Sequence, residues 1–263
     1  MIQKLKSLIP GSAREFLLPL IRERQCHAFC VGAMKTGTHS IAGLFKKGFR
    51  ANHEPERSKM IAASLAYVEG SLSESRRRKF VQKRDRRLWL DMDSSVFNYP
   101  FVELYRDEFP DAKFVLTIRD CYSWLDSCFN HQLSLPIDAT MKALLDDWFQ
   151  PDNYQHTDHE QPMIDKGLFP LACYADFWNR YNSGIINALP KERLLIIKTN
   201  EIAESTGQLE NFLGLKTGQL DMTRSHSFRA PEKHDVLAKL NQQFVADIVN
   251  ETGGKLMSKH FST

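Results

Sequence analysis

Short apolar runs alternate with one-sided helical patterns along most of the chain. The runs are HAFCV at 27–31, RLWLDM at 87–92, KFVLTI at 113–118 and RLLIIK at 193–198, nearly unbroken in the way of strands covered on both faces. After the first run, Ile41, Leu44, Phe45 and Phe49 share one helical face; after the third, Leu125, Cys128 and Phe129 do the same. Near the C-terminus, DVLAKLNQQFVADIV keeps helical spacing through Val236, Leu237, Leu240, Phe244 and Ile248, which predicts a closing helix. There is no internal repeat and no low-complexity linker. The pattern predicts a single α/β domain over residues 26–263, with a central parallel sheet flanked by helices.

Composition narrows the class. A chain of 263 residues, 42% hydrophobic and 25% charged, has the balance of a globular protein with a sizeable core. Its formal charge of +3 is too small to argue for nucleic acid and suits anionic small ligands. The five cysteines, Cys26, Cys30, Cys121, Cys128 and Cys173, show no paired spacing, so a reducing, cytoplasmic setting is expected. In residues 1–25, Pro10, Gly11, Arg14 and Glu15 interrupt the apolar patches well short of the ~20 residues a membrane span needs. That segment reads as an amphipathic helix docked on the domain, with peripheral membrane contact as the alternative.

The first strand runs into FCVGAMKTGTHSIAGLF, a glycine-bounded loop opening a helix, which is the design of a phosphate cradle. In an ATP or GTP loop the second glycine is followed by lysine and then a hydroxyl residue. Here Thr38 and His39 follow Gly37, and the lysine stands two residues before it, as Lys35. That order leaves backbone N–H groups of residues 37–40 for a terminal phosphate and sends Lys35 toward whatever that phosphate carries. A cation there neutralises a leaving group without a metal.

KTGTH at Lys35–His39 resembles the 5′-phosphosulfate loop of sulfotransferases that use 3′-phosphoadenosine 5′-phosphosulfate (PAPS). A second stretch, KFVLTIRDCYSWLDSCFNH, is similar to their 3′-phosphate site, with Arg119 at the end of a strand and Ser127 eight residues on. The likeness continues through residues 167–215, ending in FLGL. It implies a single α/β domain, with Lys35, Thr36, Gly37, Thr38, His39 and Ser40 on the 5′-phosphosulfate and Arg119 and Ser127 on the 3′-phosphate. Product would be adenosine 3′,5′-bisphosphate (PAP), with no metal involved. His39 departs from the family's second threonine, and Cys121 from its usual proline. No glycine-rich basic loop matches near the C-terminus; Arg229 or Lys233 is assigned to the 3′-phosphate from charge and position alone.

Sulfuryl transfer to an alcohol or amine needs a base for the acceptor proton. In ANHEPERSKM the candidate is Glu54, in a place where the family often carries a glutamate, with His53 as the fallback; otherwise Asn52 and Glu54 cap a helix opened by Pro55. Asp91, Asp93 and Ser94 are expected near the acceptor. The acceptor is a small molecule, a lipid or a glycan. Two other readings stand beside this one. LWLDMDS is compatible with the magnesium-holding strand of a phosphotransferase with a degenerate loop, and the chain would also suit a non-catalytic PAP-binding protein. The basic run at 76–87 reads as a solvated helix or loop, with guidance of a polyanion as the alternative, and His156 and His159 read as loop residues.

Overall fold

The computed structural model describes residues 17–45, 48–134, 136–224 and 233–261. Among them five strands, β1 (Ala28–Cys30), β2 (Ala51–His53), β3 (Met92–Ser94), β4 (Lys113–Ile118) and β5 (Leu194–Lys198), form one sheet in the order β2-β3-β1-β4-β5. Every pairing is parallel, with Ala28 opposite Met92 on one side and Lys113 on the other. The connections are helical: α1 (Thr38–Leu44) follows β1, α2 (Arg57–Val68) and α3 (Glu74–Leu88) follow β2, and α4 (Val102–Glu108) follows β3. α5 (Cys121–Ser134), α6 (Ala139–Phe149) and α7 (Leu171–Ala188) join β4 to β5, and α8 (Thr206–Leu213) and α9 (Gln242–Phe261) follow.

Alternation along the strands splits the core into two layers, as period-2 side chains must. Ala28, Cys30, Val115, Leu195 and Ile197 face α1 and α8, meeting Ile41, Leu44, Phe45, Leu209 and Leu213. Phe29, Phe114, Leu116 and Ile118 face the larger layer, where Trp124, Phe177, Trp178 and Tyr181 are wholly buried. There α9 closes on α7 through Gly253, where an added Cβ would lie 2.9 Å from Trp178 Cζ3.

Three local expectations change. RLWLDM is mostly a helix end: α3 continues to Leu88, Trp89 stops it in a left-handed conformation (φ 46°), and the strand begins only at Met92. ANHEP contains a strand, β2, and neither Asn52 nor Glu54 caps α2, whose N-cap is Glu56 at φ 57°. The C-terminal pattern is divided, a turn of 3-10 helix at Leu237–Lys239 preceding α9, because Leu240 at the junction is buried in extended conformation. Of the N-terminal segment, residues 17–21 are helical and residues 1–16 lie outside the described residues.

Candidate active site

From β1 the chain steps to β3 and β2 on one side and to β4 and β5 on the other, so β1 ends at the switch point where open parallel sheets form a crevice. The loop 31–37 leaves β1 there. Gly32 has no space for a side chain, since a Cβ would meet Thr117 Oγ1 at 1.9 Å. Gly37 sits at φ 102° with Ile202 Cδ1 only 2.4 Å from its would-be Cβ. Lys35 adopts φ 66°, a costly conformation for a residue with a side chain.

The surroundings hold this shape by taking every carbonyl of the loop. Tyr181 Oη shares its single proton between Val31 O (3.1 Å) and Gly32 O (3.2 Å), while Thr36 Oγ1 donates to Ala33 O (2.7 Å) and Trp124 Nε1 to Met34 O (2.8 Å). Arg119 Nη1 donates to Lys35 O (3.4 Å), Thr199 Oγ1 to Thr36 O (2.7 Å), Ile41 N–H to Gly37 O (3.0 Å) and Ser94 Oγ to Thr38 O (2.6 Å). With all carbonyls from 31 to 38 engaged, the N–H groups of Gly37, Thr38 and Ser40 have no acceptor among the described residues, and no side chain caps α1. Such a turn presents donors and a partial positive charge to an anion.

Charged groups surround the turn. Burial and then Arg119 push the Lys35 ammonium below its ordinary pKa. Arg119, half-buried, donates from Nε to Ser123 Oγ at 2.9 Å and makes no ion pair among the described residues. Its backbone carbonyl accepts from Trp178 Nε1 (2.9 Å). Ser127 lies one turn beyond Ser123 on α5. Beyond it, Asn130 accepts from the His234 N–H (2.6 Å), which brings the stretch after Lys233 against this helix. Arg229 lies outside the described residues.

On the other side of the loop, Glu54 follows β2 directly, its N–H donating to Ser94 O (2.9 Å) and its φ at 50°. Burial raises the pKa of its carboxyl, an effect Arg57 opposes. His53 shares a hydrogen bond with Thr38 Oγ1 (Nε2–Oγ1 3.1 Å), and its ring meets His39 edge-on with centroids 5.0 Å apart. Burial, assisted by His39, drops its pKa to about 4, so the ring is neutral near pH 7.

Two expected pocket residues are elsewhere. Asp91 precedes β3 at the amino edge of the sheet, fully buried, where it pairs with Arg22 (2.6 Å) and accepts from the N–H groups of Gln25 (2.8 Å) and Arg50 (2.6 Å). Asp93 is paired with buried Arg84 at 2.5 Å. Both carboxylates are consumed by structural cations and are not pocket walls, which also removes the acidic strand a magnesium-dependent reading relies on. Ser94 does reach the site, as a support of the loop. Among the described residues no group of three or more His, Cys, Asp or Glu side chains is arranged to hold a metal. His156 lies 3.9 Å from Glu160, and His159 packs on Phe244.

Two residues of the site escape a reading by motif. Arg57 opens α2 beside Glu54, exposed, with its guanidinium carbon 5.7 Å from the centroid of Phe97. His131 lies on the face of α5 that meets the loop at Met34 through Trp124 and Cys128. Burial, Lys35 and Arg57 together lower its pKa to about 4. Its position four residues after Ser127 was the available signal, since that spacing repeats a helical face.

The molecule is thus a parallel α/β domain whose loop after β1 turns N–H groups toward its switch point. Residues 27–227 match the family described as Sulfotransferase domain. The chain belongs to the sulfotransferase family, and the family supports sulfuryl transfer as its activity in general terms. Among solved structures it is similar to a sulfotransferase from Alicyclobacillus acidocaldarius, at 17% identity over 89% of this chain and 95% of that one, with a TM-score of 0.49. It is also similar to a sulfotransferase domain from the curacin biosynthetic pathway, at 11% identity over 86% and 89% of the two chains, with a TM-score of 0.38. No curated protein matches the sequence.

Proposed function

We propose that the protein transfers a sulfuryl group from PAPS to a hydroxyl or amine of an acceptor, with Glu54 as the base. The observation that carries this reading is the loop itself. Its carbonyls from Val31 to Thr38 are all engaged, and the N–H groups of Gly37, Thr38 and Ser40, which have no acceptor among the described residues, are the donors this reading gives to an anion.

The residues fit the donor. A half-buried guanidinium that makes no ion pair among the described residues, with Asp120 and Asp126 acting on it only at longer range, Arg119 invites a second phosphate, and Ser127 and Lys233 are the candidates to share it, with Arg229 kept from the sequence. The 5′ side has Lys35, Gly37, Thr38 and Ser40, with Thr36 and His39 in the same turn. When bound, PAPS supplies an activated sulfuryl group and a phosphate leaving group. Lys35 stabilises negative charge on the bridging oxygen. Glu54 accepts the acceptor's proton, and the burial that raises its pKa makes it a stronger base than an ordinary carboxylate. His53, neutral and bonded to Thr38, positions the turn.

Calorimetric titration with PAP, and with ATP in the presence and absence of Mg²⁺, tests the donor. Tight PAP binding without metal, weakened severely in Arg119→Ala, is expected. Mg²⁺-dependent ATP binding that ignores the 3′-phosphate would refute the assignment.

A further inference from the structure

The eight cations of α3 fall into two sets. Four are held by the fold. Arg77 donates to Pro100 O and lies over the Tyr67 ring (3.6 Å), and Arg78 pairs with Glu108 (2.6 Å). Arg84 pairs with Asp93 (2.5 Å) and Arg87 with Glu56 (2.6 Å). The other four, Arg76, Lys79, Lys83 and Arg86, are exposed and make no ion pair among the described residues. Spaced three, four and three residues apart, they form one stripe ~15 Å long on the outer face of the helix.

At its C-terminal end the stripe meets a second exposed feature. Trp89 Nε1 donates to Arg22 O (2.7 Å), and Arg24 pairs with Asp85 (2.7 Å) while lying 4.0 Å from the Trp89 ring centroid. Arg24 and Arg86 also line one shallow groove. These contacts fix residues 22–24 against the end of α3, and the helical turn just before them carries three large apolar side chains in water. Leu17, Leu20 and Ile21 are 40%, 80% and 60% exposed, whereas Leu18 is buried. Of the acids around this surface, Glu74 and Glu108 are paired with Arg78 and Asp85 with Arg24, which leaves Glu23 and Asp111 as exposed carboxylates against the four cations of the stripe.

We propose that this composite surface docks the protein on an anionic lipid bilayer, independently of the sulfuryl-transfer reading. A soluble polyanion would use the cationic stripe and leave Leu17, Leu20 and Ile21 in water. A bilayer interface uses both, with lipid headgroups on Arg76, Lys79, Lys83 and Arg86 and the acyl boundary taking the apolar turn. The charge is a separate system from the active site, since the cations of the same helix that reach toward Glu54's neighbours Pro55 and Glu56 are the paired ones, Arg84 and Arg87.

Sedimentation of the full chain with phosphatidylcholine vesicles, with and without phosphatidylserine, at low and high salt, tests this. Binding is expected only with phosphatidylserine and should weaken with salt. Lys79→Gln/Lys83→Gln/Arg86→Gln should lower partitioning on the order of a hundredfold, at about fivefold per cation. Leu20→Ser/Ile21→Ser should lower it while leaving the salt dependence. Thermal melting verifies that both variants fold. Equal binding to neutral vesicles, wild-type partitioning by either variant, or capture on heparin with no vesicle binding would overturn the proposal, the last in favour of a soluble polyanion.

Discussion

Thr38 Oγ1 and His53 Nε2 lie 3.1 Å apart, joining the first residue of α1 to the last residue of β2. The bond commits the Thr38 hydroxyl sideways and leaves its N–H as that residue's donor to the cradle. In the proposed reaction it gives a neutral imidazole, lowered to about 4 by burial and His39, a positioning role beside the carboxylate that follows it in the chain.

A division of labour between these neighbours follows. Glu54→Gln should lower kcat by a factor on the order of 10² to 10⁴, the usual worth of a general base. His53→Asn keeps a hydrogen-bonding group for Thr38 and should stay within about tenfold of wild type, because a ring with so low a pKa contributes little as a base. Steady-state kinetics on both variants decides the matter, and the reverse order would make His53 the base.

Lys35 should act on the chemical step more than on donor binding. Lys35→Ala is expected to reduce kcat on the order of 10² to 10³, in line with the loss of one preorganised charge-stabilising donor. PAP affinity should fall far less, since Trp124, Thr199 and Ser94 hold the carbonyls that shape the turn. Single-turnover rates and PAP calorimetry on one preparation separate the two effects, and equal losses in both would assign Lys35 to binding alone.

The sheet, its flanking helices and the loop with Lys35 were legible in the sequence because each is governed by local rules: apolar runs, one-sided helical spacing, and glycines where Gly32 and Gly37 admit no side chain. Asp91 and Asp93 were misplaced because the partner of a carboxylate is a tertiary fact. Arg84 comes from α3 and Arg22 from the N-terminal segment, and no spacing announces either contact. Strand β2 was missed because three residues, ANH, are too few to show a period. Arg57 and His131 went unread for a related reason: Arg57 comes near Glu54, and His131 near Lys35, only once α2 and α5 have packed.

Asp93 provides a stability test of its reassignment. Its pair with Arg84 is buried on both sides, so Asp93→Asn leaves the core guanidinium only the more distant Glu56 carboxylate (4.0 Å) and should cost roughly 3 kcal/mol. Urea unfolding at neutral pH measures that loss. An acceptor-pocket aspartate would instead leave the midpoint unchanged and alter KM.

Gly37 tests the cradle from the backbone side. Gly37→Ala places a Cβ 2.4 Å from Ile202 Cδ1 at a φ that alanine rarely adopts. PAP affinity should fall at least tenfold, and trimming the neighbour as well, in Gly37→Ala/Ile202→Ala, should recover only part of it, because the φ strain remains. Full recovery in the double variant would mean that contact alone constrains the glycine.

The pH dependence joins activity to stability through Glu54. Its folded-state pKa is raised by burial, so kcat/KM should fall on acidification from a pH above the ordinary carboxylate value, and Glu54→Gln should erase that limb. The alkaline limb should begin below the usual lysine range, because burial and Arg119 lower the pKa of Lys35. For stability the sign at Glu54 is opposite. A group whose pKa is raised on folding favours the folded state while protonated, and that contribution disappears as pH rises through the folded value. Glu54→Gln should therefore melt higher than wild type near pH 7, with the gap closing below the unfolded glutamate pKa of about 4.3. A variant that loses activity without gaining stability at neutral pH would show that the carboxylate is not strained by burial, and its assignment as a tuned base would fall with it.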